Sequence, residues 1–144
     1  MPHLTIEYSA NLANNAEMTD LCRELAHCID TQRDGDRKVF PTGGIRVRAL
    51  KSEACCIADG SIEDAAFVHL NFRIAAGRSD AVLKATAAVL MDVVKRHFAE
   101  AYRTRGFAAS LEVNEFGKFG TLKYNNLHQR LAEHAGPEGM HRAG

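Results

Sequence analysis

The sequence predicts an α/β (α+β) fold in which two β-α-β units form one four-stranded mixed sheet with two helices on one face. Three observations predict it. Apolar and polar residues alternate in four separate stretches, as they do in half-buried strands. Two longer stretches between them have the period of an amphipathic helix. The order strand, helix, strand occurs twice along 144 residues, which indicates an internal duplication within a single domain.

The first unit opens on a strand whose side chains alternate between two faces. Its apolar face comprises Leu4, Ile6 and Tyr8. Asn14 and Glu17 then have the spacing of a capping box, and the apolar period behind them predicts a helix over about 16–32. A turn at 34–36 and the glycine-containing stretch 40–44 precede the second strand. In that strand two arginines alternate with apolar residues: Ile45, Arg46, Val47, Arg48 and Ala49.

The second unit repeats this pattern after an irregular stretch at 51–64. Its first strand covers 67–74, and Ser79 then offers an N-cap. The apolar period behind this cap predicts one long helix that closes at about Gly106. A last strand spans about 107–115, and the residues after Phe116 read as a polar tail.

Each predicted strand has one apolar and one polar face. Two crossover helices are enough to cover the apolar side of a four-stranded sheet. The polar side and the sheet edges remain uncovered, and such surfaces are commonly closed by self-association. The sequence therefore predicts a symmetric oligomer.

The composition argues against several classes of partner. Eighteen basic and eighteen acidic side chains cancel, so no basic excess points to nucleic acid. No apolar run has the length of a membrane span, and the first residues are too polar for a signal peptide. The four cysteines form no CxxC pair, which favours reduced thiols in a cytoplasmic protein: Cys22, Cys28, Cys55 and Cys56.

No motif for a metal or a nucleotide cofactor is present. The seven histidines do not fall at metal-ligand spacing, and no glycine-rich dinucleotide loop follows a strand. His69 on a strand is interpreted as a hydrogen-bonded structural residue, and His97 as packed against its neighbours or solvated. The polar cluster at 123–128, with its pair of asparagines, is interpreted as a turn. We therefore expect no cofactor and no metal site.

Pro2 is the candidate catalytic residue. A small residue after Met1 normally allows the methionine to be removed, which would leave Pro2 with a free secondary amine at the start of a buried strand. An α-amino group titrates near 8, and burial or nearby cations lower its pKa further. Such a nitrogen can act as a general base at neutral pH. If Met1 were retained, the Pro2 nitrogen would be an amide without basicity, and the methionine–proline start would be accidental.

Arg46 and Arg78 are the candidate substrate-binding residues. The arginine side chain presents a planar fork of donors that suits carboxylates. Arg46 lies within a strand, whereas Arg78 follows Gly77 where a strand gives way to a helix. The competing interpretation for each is a solvated surface charge.

Taken together, these residues resemble the 5-carboxymethyl-2-hydroxymuconate isomerases of the tautomerase superfamily. The resemblance covers most of residues 2–131 and rests on ordered stretches at 2–3, 44–48, 58–60, 66–70, 76–79 and 125–128. It implies a homotrimer and a cofactor-free 1,3-proton shift in a small polycarboxylate substrate. It also implies that Pro2 is the base and that Arg46 and Arg78 hold carboxylates.

The sequence departs from this family at two places and leaves alternatives open. Residues 51–57 lack the aromatic residues usual there, and 132–144 extends as a polar C-terminal tail beyond the single domain of 1–131. One alternative is another Pro2-dependent enzyme of the superfamily, a tautomerase, decarboxylase or dehalogenase. A second is a trimeric binding protein that retains the fold without catalysis.

Overall fold

Four long strands form the main sheet of the structure, a computed structural model that describes residues 1–140, the last four by their backbone alone. The elements in chain order are β1 (His3–Ser9), α1 (Asn15–Asp30), β2 (Arg33–Asp34), β3 (Arg37–Lys38), a 3₁₀ turn (Thr42–Gly44), β4 (Arg46–Ser52), β5 (Ala66–Ile74), α2 (Asp80–His97), α3 (Ala99–Thr104), β6 (Phe107–Glu115) and α4 (Leu127–Met140).

The order of strands in the main sheet is β4-β1-β5-β6. The strand pairs β1–β4 and β5–β6 are parallel, as expected when a helix connects the two strands. The central pair β1–β5 is antiparallel, so the sheet is mixed. The predicted duplication and fold class are therefore confirmed, with one β-α-β unit on each side of the central pair.

Helices α1 and α2 both lie on the apolar face of the sheet. The buried residues of α1 are Met18, Leu21, Leu25 and Ile29, and those of α2 are Thr86, Leu90, Val93 and Val94. They share one core with the fully buried strand residues Leu4, Ile6, Leu70, Phe72 and Ile74. Each such apolar side chain contributes about 1.5–3 kcal/mol on burial, so this layer provides most of the stabilisation of the fold.

The predicted helix caps are present. Asn14 Oδ1 accepts from the Glu17 N–H at 2.9 Å, and the Asn14 N–H donates back to Glu17 Oε2 at 2.9 Å. Ser79 Oγ accepts from the Val82 N–H at 3.3 Å. Helix α1 ends at Asp30, two residues before its predicted end, because Thr31 caps it and the chain enters the short β2–β3 hairpin.

The single long helix predicted for the second unit is interrupted at Phe98, where the backbone angles are φ −106° and ψ 22°. Helix α2 ends just before this residue and α3 begins just after it. The break places the Phe98 ring in the core, 5.4 Å from the ring of Phe107 at the start of β6.

The region after Phe116 contains a helix that the sequence did not indicate. Residues 117–126 have no regular structure, and α4 follows, with a non-helical Gly136 at φ 59°. The described side chains of α4 are exposed and give no strong apolar stripe, so periodicity could not reveal it. The boundary predicted at 131/132 falls inside α4. The division of the chain there stays a prediction, and 141–144 lie outside the described residues.

Candidate active site

One end of the main sheet gathers the residues predicted to be functional. The strands β1 and β4 begin there, while β5 and β6 end there. Pro2 is buried immediately before β1, and its carbonyl oxygen accepts from the Arg46 N–H at 3.0 Å. Arg46 therefore opens β4 directly beside the start of the chain.

The guanidinium group of Arg46 is held by one of its nitrogens. Nη1 donates to the carbonyl oxygens of Gly43 and Ile45, at 3.0 and 2.9 Å. Among residues 1–136, whose side chains the structure describes, Nε and Nη2 find no hydrogen-bond or ion-pair partner, and the side chain is half-buried. These two nitrogens form the edge with which arginine binds a carboxylate through two parallel hydrogen bonds.

Arg78 lies in the connection between β5 and α2 and is fixed from several sides. Nη1 donates to the Ala75 carbonyl oxygen at 3.0 Å, and Nη2 donates to that of Val39 at 3.1 Å. The guanidinium carbon lies 4.6 Å from the centre of the Phe40 ring. Nε is buried and has no partner among the described side chains and backbone.

Beside Arg78 a cleft of about 570 Å³ opens, with Arg37 and Lys38 also on its wall. Burial lowers the pKa of Arg78, and the Glu115 carboxylate raises it. Arginine keeps its charge under such shifts. Arg37 lies 3.7 Å from Asp34, which also lines the cleft, and Lys38 pairs with Asp30. Among the described lining residues, Arg78 is therefore the cation that is left to bind an anion.

The same charges act on the start of the chain. The pKa of the Met1 α-amino group is lowered from its usual 8.0, first by burial and then by the positive charges of Lys123, Arg78 and Arg46. Consecutive α-carbons are about 3.8 Å apart, so the Pro2 nitrogen lies one residue further along in the same field. The structure thus brings Pro2, Arg46 and Arg78 together.

The segment before α4 contributes residues that sequence reasoning did not place at this site. Asn125 Nδ2 donates to the Gly43 carbonyl oxygen at 3.3 Å and lies 4.0 Å from the Met1 sulfur. Asn125 Oδ1 accepts from the Leu127 N–H at 2.7 Å, which makes the turn expected for this stretch. Lys123 lies in the same segment, and His128 lies in the first turn of α4. The stretch at 125–128, which contributes to the family resemblance, was the available signal for these residues. Its sequence alone does not predict a contact with the start of the chain.

The histidines behave largely as expected. His69 lies on a strand with Nδ1 2.7 Å from Ser110 Oγ, and the His97 ring contacts the Phe98 ring with centres 4.7 Å apart. His3 Nδ1 lies 3.2 Å from Nη1 of Arg48. Burial, followed by the charges of Arg48 and Arg46, then the terminal amine and Arg73, lowers the pKa of His3 below 6.5. His3 thus adds a neutral ring beside the site at neutral pH.

Other features bear on the predicted cysteine chemistry and partners. All four cysteines are free thiols. In the described part of the chain, no group of three or more histidine, cysteine, aspartate or glutamate side chains has the arrangement to hold a metal ion. Across the described helices, none combines the length and the apolar character needed to cross a membrane.

This fold is that of the tautomerase class. A solved structure titled "Q0 fused 4-OT wild type symmetric trimer" superposes with a TM-score of 0.62 at 18% identity, over 85% of this chain and 92% of that one. At this identity the likeness concerns the fold alone.

The family follows from closer similarities. The model of the 5-carboxymethyl-2-hydroxymuconate isomerase family matches residues 2–131. The chain is 31% identical to the 5-carboxymethyl-2-hydroxymuconate Delta-isomerase of Escherichia coli, over 89% of this chain and 97% of that protein. A crystal structure of a 5-carboxymethyl-2-hydroxymuconate isomerase from Deinococcus radiodurans R1 is 40% identical, with a TM-score of 0.82, over 91% of this chain and 94% of that one. The protein belongs to this family and is an isomerase.

Proposed function

We propose that this isomerase acts on 5-carboxymethyl-2-hydroxymuconate, or a closely similar 2-hydroxymuconate, in the catabolism of aromatic compounds. The reaction is a cofactor-free 1,3-proton shift, and the base is the amine of Pro2 after removal of Met1. The observation that carries this proposal is the convergence of Arg46, Arg78 and Lys123 on the amino-terminal start of β1.

The chemistry of the substrate explains why these residue types suit the site. A 2-hydroxymuconate is a conjugated dienol with carboxylates at both ends. Removal of a proton spreads negative charge over the dienolate, and the largest share falls on the oxygen at C2. The same base then returns the proton to C5. Relative to the keto form protonated at C3 this is a 1,3-proton shift, and the reaction moves one proton and needs no other reactant.

The proposed roles of the two arginines differ. The unoccupied Nε and Nη2 edge of Arg46 lies beside Pro2, where it would stabilise the oxygen that gains charge. Arg78 is already fixed by two backbone carbonyls and opens onto the cleft beside it, which supports a role in holding a substrate carboxylate throughout the reaction. Both charges also lower the pKa of the amine.

We further propose that the active form is a homotrimer in the cytoplasm. The sheet face opposite α1 and α2 is only partly covered in one chain, as the half-buried Phe67 and the exposed Leu50 illustrate. Association through this face and the edge strands would bury them. The symmetric trimer named for one neighbour of the same fold supports this arrangement.

Ultraviolet monitoring of the dienol with processed protein tests the activity. Mass spectrometry first verifies that Met1 is absent. We expect turnover by the wild type and a loss of about 10²–10⁴-fold in kcat for Pro2→Ala, because its primary amine differs in basicity and rigidity. A chain that keeps one residue ahead of Pro2 is the matched control, since the proline ring remains while its nitrogen is an amide.

The outcomes separate the alternatives. Full activity in the control chain would rule out the terminal amine as the base, and full activity in processed Pro2→Ala would show that the secondary amine of proline is not needed. Tight binding of the dienol without turnover would instead indicate a binding protein. Turnover of other acids in preference to 2-hydroxymuconates would point to a different enzyme of the same fold.

A further inference from the structure

The segment that precedes α4 is attached to the proposed site at two points. The Asn125 side chain donates to the carbonyl oxygen of Gly43 in the 3₁₀ turn. In the first turn of α4, the His128 ring packs against the α-carbon of that same glycine, and it leaves no room for a β-carbon there. These contacts join residues more than 80 positions apart in the sequence, since Asn125 and Gly43 are separated by 82.

The Gly43 carbonyl oxygen is shared by two donors. Arg46 Nη1 approaches it at 3.0 Å and Asn125 Nδ2 at 3.3 Å. A carbonyl oxygen has two lone pairs and can accept both hydrogen bonds. The position of Arg46 and that of the segment before α4 are therefore coupled through one atom.

Lys123 lies two residues before Asn125 and is exposed, and it forms no hydrogen bond or ion pair with the side chains described up to residue 136. Its positive charge lowers the pKa of the terminal amine more than the charge of Arg78 or of Arg46 does. The other charged or titratable groups facing this end come from different elements: Arg46 from β4, Arg78 from the β5–α2 connection, His3 from β1, and Glu115 from the end of β6.

We propose that Lys123 is a third substrate-binding residue of this site, and that Asn125 is a positioning residue that holds Lys123 and Arg46 in place through the Gly43 carbonyl. This inference rests on the proposed function. It deepens that function because 5-carboxymethyl-2-hydroxymuconate carries three carboxylates. Two belong to the muconate chain, and the third belongs to the carboxymethyl side group. Arg46, Arg78 and Lys123 together provide one cation for each of the three carboxylates.

The assignment predicts which part of the substrate Lys123 recognises. Arg46 and Arg78 sit at fixed positions beside the sheet end, as suits the rigid conjugated chain with its two carboxylates. Lysine is a compact charge on a flexible stem, and it suits a carboxylate on a rotatable side group. Lys123 therefore selects substrates with the third carboxylate.

The first test measures the pKa of the Pro2 amine by ¹⁵N NMR in processed protein labelled at proline, without substrate. We expect Lys123→Ala to raise this pKa and Lys123→Arg to preserve it. Lys118→Ala is the matched control, because Lys118 is an exposed lysine of the same segment that lies over the Phe119 ring. An equal pKa in wild type and Lys123→Ala, or an equal rise in Lys118→Ala, would overturn the assignment.

The second test compares two substrates. Lys123→Ala should raise KM about tenfold for the three-carboxylate substrate, the loss expected for one hydrogen bond to a charged group. KM for 2-hydroxymuconate, which lacks the carboxymethyl group, should change far less. An equal change for both substrates would overturn the specificity role of Lys123.

The third test addresses Asn125. Asn125→Ala should raise the amine pKa as Lys123→Ala does and should also lower kcat through Arg46. Adding Lys123→Ala to Asn125→Ala should then change the pKa little further, whereas full additivity would overturn the positioning role. The NMR measurement needs no turnover, so it remains informative if the proposed function fails. If Pro2→Ala abolishes turnover while the Lys123 variants match wild type, the proposed function stands and this inference falls.

Discussion

The imidazole ring of His128 and the α-carbon of Gly43 are in direct contact across two distant parts of the chain. A β-carbon on Gly43 would lie 2.6 Å from Nδ1 of His128 and 2.8 Å from its Cε1, closer than such atoms approach in folded proteins. The glycine is therefore needed for space at this position. The contact fixes the first turn of α4 on the 3₁₀ turn that precedes Arg46.

Gly43→Ala should weaken this contact. The added methyl group collides with the His128 ring, and overpacking of this kind costs about 1–3 kcal/mol in the free energy of unfolding. We expect a value near the lower end, because His128 is exposed and its ring can turn aside. Denaturant unfolding of Gly43→Ala, His128→Ala and the double variant checks this. The double variant should recover most of the loss, and simple additivity of the two effects would contradict the steric explanation.

The two arginines should separate binding from catalysis. Arg78→Ala should mainly raise KM, since it removes binding that is equal in the ground and transition states. Arg46→Ala should lower kcat by about 2–4 kcal/mol of transition-state stabilisation, because its free edge faces the developing charge. Steady-state kinetics with the dienol check both, and unchanged kinetics in both variants would refute the carboxylate-binding model.

The same two variants should shift the pH dependence of the reaction. The proposed Pro2 base works when deprotonated, and the same cations lower the pKa of the amine at the start of the chain. Removal of either charge raises that pKa, so the acidic limb of the profile of kcat/KM should move to higher pH. Arg48→Ala is a suitable comparison, because Arg48 acts on His3 and is not among the charges that lower the amine pKa. An acidic limb that stays at the same pH in Arg46→Ala and Arg78→Ala would show that these charges do not lower the pKa of the base.

His3 should make the stability of the fold depend on pH. Its pKa in the folded chain lies below the usual 6.5, so below that pH the unfolded state binds more protons than the folded state. The free energy of unfolding should therefore rise with pH up to about 6.5 and fall as the solution is acidified. Urea unfolding from pH 5 to 7.5 at constant protein concentration checks this. His3→Gln should flatten the slope, while His134→Gln on α4 should retain it.

Assembly should depend on the partly covered sheet face. Leu50 in β4 is 51% exposed in one chain and lies on the face opposite the helices, together with Arg46 and Arg48. Sedimentation should report three chains per particle for the wild type, and Leu50→Asp should shift the particles toward single chains. Val89→Asp is the matched control, because Val89 lies on the outer surface of α2 and is 38% exposed. A fully active single chain would contradict the proposed trimer.

The parts of the fold that could be predicted from the sequence are those fixed by local patterns. Alternation in β1 and the paired Asn14 and Glu17 act over a few residues, and both are present as predicted. The break at Phe98 depends on its contact with Phe107, and α4 depends on its contact with the 3₁₀ turn. Neither contact leaves a periodic trace in the sequence.

The same distinction applies to the candidate site. Pro2 is marked by its position, and Arg46 by its place in an alternating strand, so both could be singled out before the fold was known. Lys123 and Asn125 approach the start of the chain only after folding, and Asn125 is 124 positions from Met1. Residue types in a polar segment do not reveal such long-range proximity.

The duplication gives the sheet two equivalent strand starts, and they differ in character. Pro2 is buried and precedes the half-buried His3, just as the buried Ala66 precedes the half-buried Phe67, so the alternation of faces makes Ala66 the counterpart of Pro2. The nitrogen of Ala66 is an amide within the chain, and it donates to the Gly106 carbonyl oxygen at 2.8 Å.

The cleft at that second end, of about 320 Å³, is lined by Glu53 and Glu63 and would repel a polycarboxylate. Under the proposed mechanism, the duplicated chain therefore has one reactive end and one end that serves only the fold. The residues at the first strand start are constrained by the chemistry of an amine, whereas those at the second are constrained by the packing of the fold.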